Sequence, residues 1–104
     1  MKRKPKYTLE DIREKVVPIA KQYGVERVYL FGSYARNEAK AKSDIDLRID
    51  VKKGTGYFKL CQIYGDLEDI FHTKIDLLTT NALEDKFLNK ISKEEVLLYA
   101  ERAR

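Results

Sequence analysis

Ser43-Asp44-Ile45-Asp46-Leu47-Arg48-Ile49-Asp50 alternates polar and apolar residues along its whole length. Successive side chains on a strand point to opposite faces, so Ile45, Leu47 and Ile49 share one face. Asp44, Asp46, Arg48 and Asp50 share the other. A shorter version follows at Lys74-Ile75-Asp76-Leu77-Leu78-Thr79, with Ile75 and Leu77 on one side and Asp76 opposite. If the two strands are neighbours in register, Asp76 stands beside Asp44 and Asp46.

The rest of the chain supplies layers around these strands. Thr8 followed by Asp11 reads as the start of a helix with a shortened capping box. Leu9, Ile12, Val16, Ala20 and Tyr23 recur at helical spacing, Pro18 should kink or split the helix, and Gly24 ends it. Arg27 to Phe31 is rich in β-branched and aromatic residues and reads as the first strand. Gly32-Ser33 breaks it, with Ser33 capping a short helix through Ala39. The second strand is expected over Asp44 to Val51 and the third over Lys74 to Thr79. Between them, residues 57–71 form an amphipathic helix with Leu60, Ile63, Tyr64, Leu67, Ile70 and Phe71 on one face. Gly65 inside it marks a close packing contact. Asn81 with Glu84, and Ser92 with Glu95, carry the start signals of two C-terminal helices. The expected fold is α/β (α+β), a small mixed three-stranded sheet with helices packed on it.

Composition narrows the function. The 104 residues form one domain, 1–104, with 1–7 a flexible basic N-terminus. Hydrophobic residues make up 43%, a globular composition rather than a disordered one. The apolar runs are too short to span a membrane, and the basic start has no apolar segment behind it, so no secretory signal is read. One cysteine, Cys61, makes no internal disulfide, which fits the cytoplasm; beside Leu60 and Tyr64 it reads as core. The net charge of +4 is mild for a nucleic-acid partner, since much of the excess lies in the first six residues.

Three carboxylates on one sheet face repel one another unless cations neutralise them. Oxygen-only ligands suit Mg²⁺, which takes much of its shell from water and substrate phosphates. Two such ions, about 3.5–4 Å apart, can hold the attacking and leaving oxygens of a phosphoryl displacement. Taken alone, Asp-x-Asp fits the solvent-facing side of an antiparallel sheet better than a metal site. The Gly32-Ser33 turn adds a place where phosphate can approach the backbone closely. It is not a Walker loop, and Gly54-Thr55-Gly56 lacks the third glycine of a dinucleotide loop.

In combination these motifs resemble the polymerase-beta-like nucleotidyltransferase superfamily, and within it the minimal nucleotidyltransferase (antitoxin-type) branch. The resemblance rests on Leu30-Phe31-Gly32-Ser33-Tyr34-Ala35-Arg36-Asn37-Glu38-Ala39, Ser43-Asp44-Ile45-Asp46-Leu47 and Lys74-Ile75-Asp76-Leu77-Leu78-Thr79, with Tyr23-Gly24-Val25 and Val96-Leu97-Leu98-Tyr99 as outlying support. It implies a nucleotidyltransferase fold and a Mg²⁺-dependent enzyme transferring AMP from ATP to a hydroxyl acceptor. Gly32 and Ser33, with Arg36 as a secondary candidate, would bind the nucleotide. Asp44, Asp46 and Asp76 would be catalytic and hold two Mg²⁺ ions. The implied partner is a HEPN-type helical toxin, with this chain as antitoxin. Two alternatives stand beside it: a non-catalytic module that neutralises such a partner by occlusion, and a nucleotidyltransferase acting on a small molecule such as an antibiotic. Asn37 departs from the family's usual glycine, though asparagine tolerates φ > 0. Arg48 either contacts phosphate or pairs with Asp50, Arg36 also fits a solvated helix arginine, and His72 reads as a helix C-cap.

Overall fold

The computed structural model describes residues 4–102. Its elements, in chain order, are α1 (Leu9–Tyr23), β1 (Arg27–Phe31), α2 (Gly32–Ala35), β2 (Ile45–Asp50), α3 (Tyr57–Phe71), β3 (Ile75–Thr79), a 3₁₀ turn (Thr80–Ala82), α4 (Asp85–Ser92) and β4 (Val96–Ala100).

The sheet runs β3-β2-β1-β4. Strand β2 pairs antiparallel with β1 and parallel with β3, while β4 lies antiparallel on the far side of β1. The sheet is therefore mixed, but it has four strands where three were expected. The fourth replaces the last predicted helix. Ser92-x-x-Glu95 imitates a capping box, yet Ser92 Oγ donates to the Asn89 carbonyl and the Glu95 carboxylate accepts from Arg48. With both cap groups engaged elsewhere, Val96–Ala100 follows its β-branched and aromatic character and covers the open edge of β1.

One apolar layer holds the sheet. Ile45, Leu47 and Ile49 of β2 are buried with Val28 and Leu30 of β1 and Ile75 of β3. Ile12, Val16, Ile19 and Ala20 of α1 and Ile63, Leu67 and Phe71 of α3 join them in one cluster. Each such side chain, fully buried, contributes about 1.5–3 kcal/mol from hydrophobic transfer. Because both long helices belong to this layer, the opposite face of β2, with Asp46, Arg48 and Asp50, is left for polar contacts.

Local signals explain most boundaries. Thr8 Oγ1 accepts from the Asp11 N–H at 3.0 Å while Asp11 accepts from the Thr8 N–H at 2.9 Å, the predicted capping box. Gly24 at φ 66° ends α1, and His72 at φ 52° ends α3 as its C-cap. Helix α1 continues through Pro18 without splitting, since surrounding burial at Val16, Ile19 and Ala20 outweighs the missing hydrogen bond. Helix α2 is shorter than expected. Phe31 is its N-cap, Ser33 lies inside it, and it ends at Ala35 because Asn37 turns left-handed at φ 60°. Asn81 falls in the 3₁₀ turn, and α4 starts at Asp85 with no side-chain cap. Gly65 meets nothing within 4 Å of where its Cβ would be, so it marks no close contact. Cys61 is exposed rather than core, since its position lies off the α3 face made by Leu60, Ile63 and Leu67.

Residues 1–3 of the expected flexible N-terminus lie outside the described residues. Lys6 donates to the His72 carbonyl at 3.1 Å, and the Tyr7 hydroxyl donates to that of Phe71. Among the described residues no helix is long and apolar enough to cross a membrane.

Candidate functional site

The site forms where the charged face of β2 meets the end of β1. Register places Asp46 opposite Phe31 on one side and Asp76 on the other. Gly32 follows Phe31 directly, so the chain reverses beside the Asp46 side chain. Gly32 sits at φ 75°, and a Cβ added there would overlap Asp46 Oδ2 and come within 2.9 Å of its Cγ. Both observations require glycine.

The Asp46 and Asp76 carboxyls lie within hydrogen-bonding reach of each other. Burial, then Asp76, then Asp44 push the Asp46 pKa up to about 7, against a smaller opposing pull from Arg36. Such a pair shares a proton unless a cation replaces it. Asp44 stands just before β2 and is half-buried, as Asp76 is. Lys74 Nζ lies 3.7 Å from Asp44 Oδ2 and 3.9 Å from Asp76 Oδ1, so an ammonium links the outer two carboxylates. Among the described residues no three His, Cys, Asp or Glu side chains close into a metal cage by themselves. What exists is a close pair with a third carboxylate to one side. An all-oxygen, half-buried, mutually repelling set fits a hard divalent ion whose remaining ligands come from water and substrate phosphate.

An open depression of about 460 Å³ lies over the pair, lined by Phe31, Asp46, Tyr64, Asp76, Leu78 and Phe87. Phe31 and Phe87 meet edge to face at 6.3 Å. A larger hollow of about 760 Å³ lies away from the carboxylates, between Lys4-Pro5 and the loop at 37–42. The chemistry belongs to the smaller one, where the perturbed acid sits.

The basic residues sort differently. Arg48 is buried, donates to Glu95, Asp50 and the Thr80 hydroxyl, and lies with its guanidinium carbon 3.9 Å from the Tyr29 ring centroid. Each of its three nitrogens donates to the protein, so of its two expected roles the ion pair is the one formed. Arg36 is exposed beside the Gly32 turn and bridges Glu38 at 2.9 Å and Glu94 at 2.7 Å. Ser33 lies in the same turn, its carbonyl accepting from the Glu38 N–H at 2.9 Å. Asn37 adopts the left-handed conformation that the motif's usual glycine would take.

Two participants were missed in the sequence. Lys74 borders two carboxylates, and Glu94 accepts from the Gly32 N–H at 3.0 Å as well as from Arg36. Glu94 is 62 residues from Gly32 and read as part of a helix start, so no local signal linked them.

The family model described as polymerase beta, nucleotidyltransferase matches residues 14–104. The chain belongs to the polymerase beta nucleotidyltransferase family. It is 35% identical over 88 residues to a Methanocaldococcus jannaschii protein provisionally named a protein adenylyltransferase, covering 85% of this chain and 95% of that one. It is 29% identical to the protein adenylyltransferase MntA of Thermococcus cleftensis, over 86% of this chain and 94% of that one. Among solved structures, a chain described as a minimal nucleotidyltransferase superposes with TM-score 0.76 at 26% identity, covering 88% and 96% of the two chains. A toxin–antitoxin complex with AMP-PNP gives 0.75 at 16% identity, over 86% of this chain and 74% of that one. The MNT antitoxin complex with a tri-AMPylated HEPN toxin from Shewanella oneidensis gives 0.70 at 14%, over 90% and 74%. At those last two identities the likeness speaks for the fold alone. The protein is thus an enzyme of the nucleotidyltransferase class with the minimal nucleotidyltransferase fold.

Proposed function

We propose that this nucleotidyltransferase moves AMP from ATP to a hydroxyl on a separate protein, and that it serves as the antitoxin to a HEPN-type helical partner. The observation that carries the reading is the in-register Asp46–Asp76 pair set against the Gly32 turn. Carboxylates crowded to the point of sharing a proton are suited to divalent charge, and the adjacent glycine lets a triphosphate reach the backbone.

Asp44, Asp46 and Asp76 would hold Mg²⁺, two ions in all, and the bound ions would supply charge neutralisation to the transferring phosphate. The chain's own residues do the rest. Gly32 and Ser33 offer backbone N–H groups and a hydroxyl to the phosphates, and Arg36 adds positive charge at the rim. Asp76 accepts the proton from the acceptor hydroxyl. The acceptor oxygen bonds to the α-phosphorus, the α–β anhydride bond breaks, and pyrophosphate leaves.

Support for the acceptor class comes from the relatives named as protein adenylyltransferases and from the AMPylated HEPN toxin bound to a neighbour of the same fold. The depression over the carboxylates is open, so a hydroxyl carried on a separate protein can reach it from outside.

The test is the intact mass of a co-purified HEPN-type partner after incubation with this protein and Mg²⁺–ATP. Addition of AMP is expected with the wild-type chain and absent with Asp44→Asn/Asp46→Asn. Neutralisation of the partner by that double variant, with no mass change in either case, would show occlusion instead of transfer.

A further inference from the structure

The Gly32 N–H and the Arg36 guanidinium, two of the groups assigned above to nucleotide phosphate, are both already bonded to one side chain. Glu94 Oε2 accepts from Gly32 N at 3.0 Å and from Arg36 Nη1 at 2.7 Å. A carboxylate oxygen that bridges a backbone amide and a guanidinium imitates a phosphate oxygen in charge and in hydrogen-bond geometry. We infer that Glu94 is a built-in competitor of the nucleotide, holding the phosphate position in the resting protein and swinging out when a nucleoside triphosphate binds. This rests on the nucleotide-binding reading of the Gly32 turn and adds to it the residue that sets affinity there.

The surroundings allow the exchange without unfolding anything. Glu94 lies in the three-residue link between α4 and β4, and its side chain is 24% exposed, so solvent waits on one side. Its neighbour Glu95 is buried on Arg48 and holds the link in place. The Glu94 N–H is bonded to the Ile91 carbonyl at 3.0 Å, which fixes the backbone while leaving the side chain to rotate. Arg36 keeps its second partner, Glu38, at 2.9 Å, so it remains at the rim after Glu94 leaves. Charge gives the sign. Glu94 in place adds a fourth carboxylate to a site that must accept a polyanion, and its displacement trades one anion for another.

Glu94→Gln keeps the shape and removes the charge; Glu94→Ala removes the contact. The probe is an ATP analogue with a methylene bridge between the α- and β-phosphates, titrated calorimetrically into the full chain with Mg²⁺. Both variants should bind it about three- to tenfold more tightly than the wild type, a difference worth about one displaced charge-assisted contact. In the free protein, the Gly32 amide resonance should move on Glu94→Ala. In the wild type it should move again as analogue is added. Equal or weaker binding by both variants, or a Gly32 amide indifferent to Glu94→Ala, overturns the competitor role while leaving nucleotide binding intact. Absence of binding in all three proteins overturns the nucleotide reading itself, and this inference with it.

Discussion

The Asp46 carboxylate occupies the space that a side chain at position 32 would fill, so the metal-suited face of β2 and the phosphate-suited turn after β1 are one fitted unit. Gly32→Ala violates that fit twice, by a left-handed backbone at φ 75° and by overlap with Asp46. Thermal unfolding should show a loss of about 1–2 kcal/mol from the backbone alone. Nucleotide binding should fall further than that loss explains, because Asp46 must move. A Gly32→Ala protein with unchanged melting temperature would contradict the geometry.

The Asp46–Asp76 pair gives the protein a pH signature. A carboxyl with a folded pKa of about 7 against an ordinary 3.8 binds more protons folded than unfolded between those values. Stability of the metal-free protein therefore falls as pH rises from about 4 to about 7. Urea unfolding in EDTA should show Asp46→Asn gaining on the wild type over that range. Parallel curves for the two proteins would mean the carboxyls do not share a proton.

Arg48 and Glu95 form a buried pair on the same sheet face. Glu95→Ala strands the guanidinium with only Asp50 as counter-charge, and should lower stability by about 3 kcal/mol. Arg48→Met combined with Glu95→Leu should recover most of that loss in chemical denaturation. If the single change proved neutral, the link that carries Glu94 would not be anchored as described.

Gly65 sits in the middle of α3 with open space around its missing side chain. Gly65→Ala should raise stability by about 0.5–1 kcal/mol, with nucleotide binding unchanged. A destabilised variant would restore the close packing contact that the sequence suggests.

Much of this arrangement can be read from residue order, and the parts that cannot share a cause. The bounds of β1 follow from Gly24 and Gly32 on either side of a β-branched and aromatic run, and the period of two on both strands puts each aspartate opposite the apolar face, while the Asp46–Asp76 register itself is set by the sheet pairing. The bounds and the facing are local patterns. The fourth strand was hidden because Ser92 and Glu95 sit at capping-box spacing, and only the distant Arg48 determines that Glu95 is used otherwise. Glu94 was hidden for the same reason, its partners Gly32 and Arg36 lying far back in the chain. Cys61 and Gly65 were misplaced because helical periodicity gives a face but not how far the neighbouring layer extends over it.

The central claim concerns divalent charge at the carboxylates, and Mn²⁺ electron paramagnetic resonance reads it directly. In the presence of the methylene-bridged ATP analogue, the wild-type chain should take up Mn²⁺ beyond what the analogue alone binds, while Asp46→Asn and Asp76→Asn should add nothing to the analogue's own uptake. Equal added Mn²⁺ uptake by all three proteins, or none by the wild type, would contradict the account.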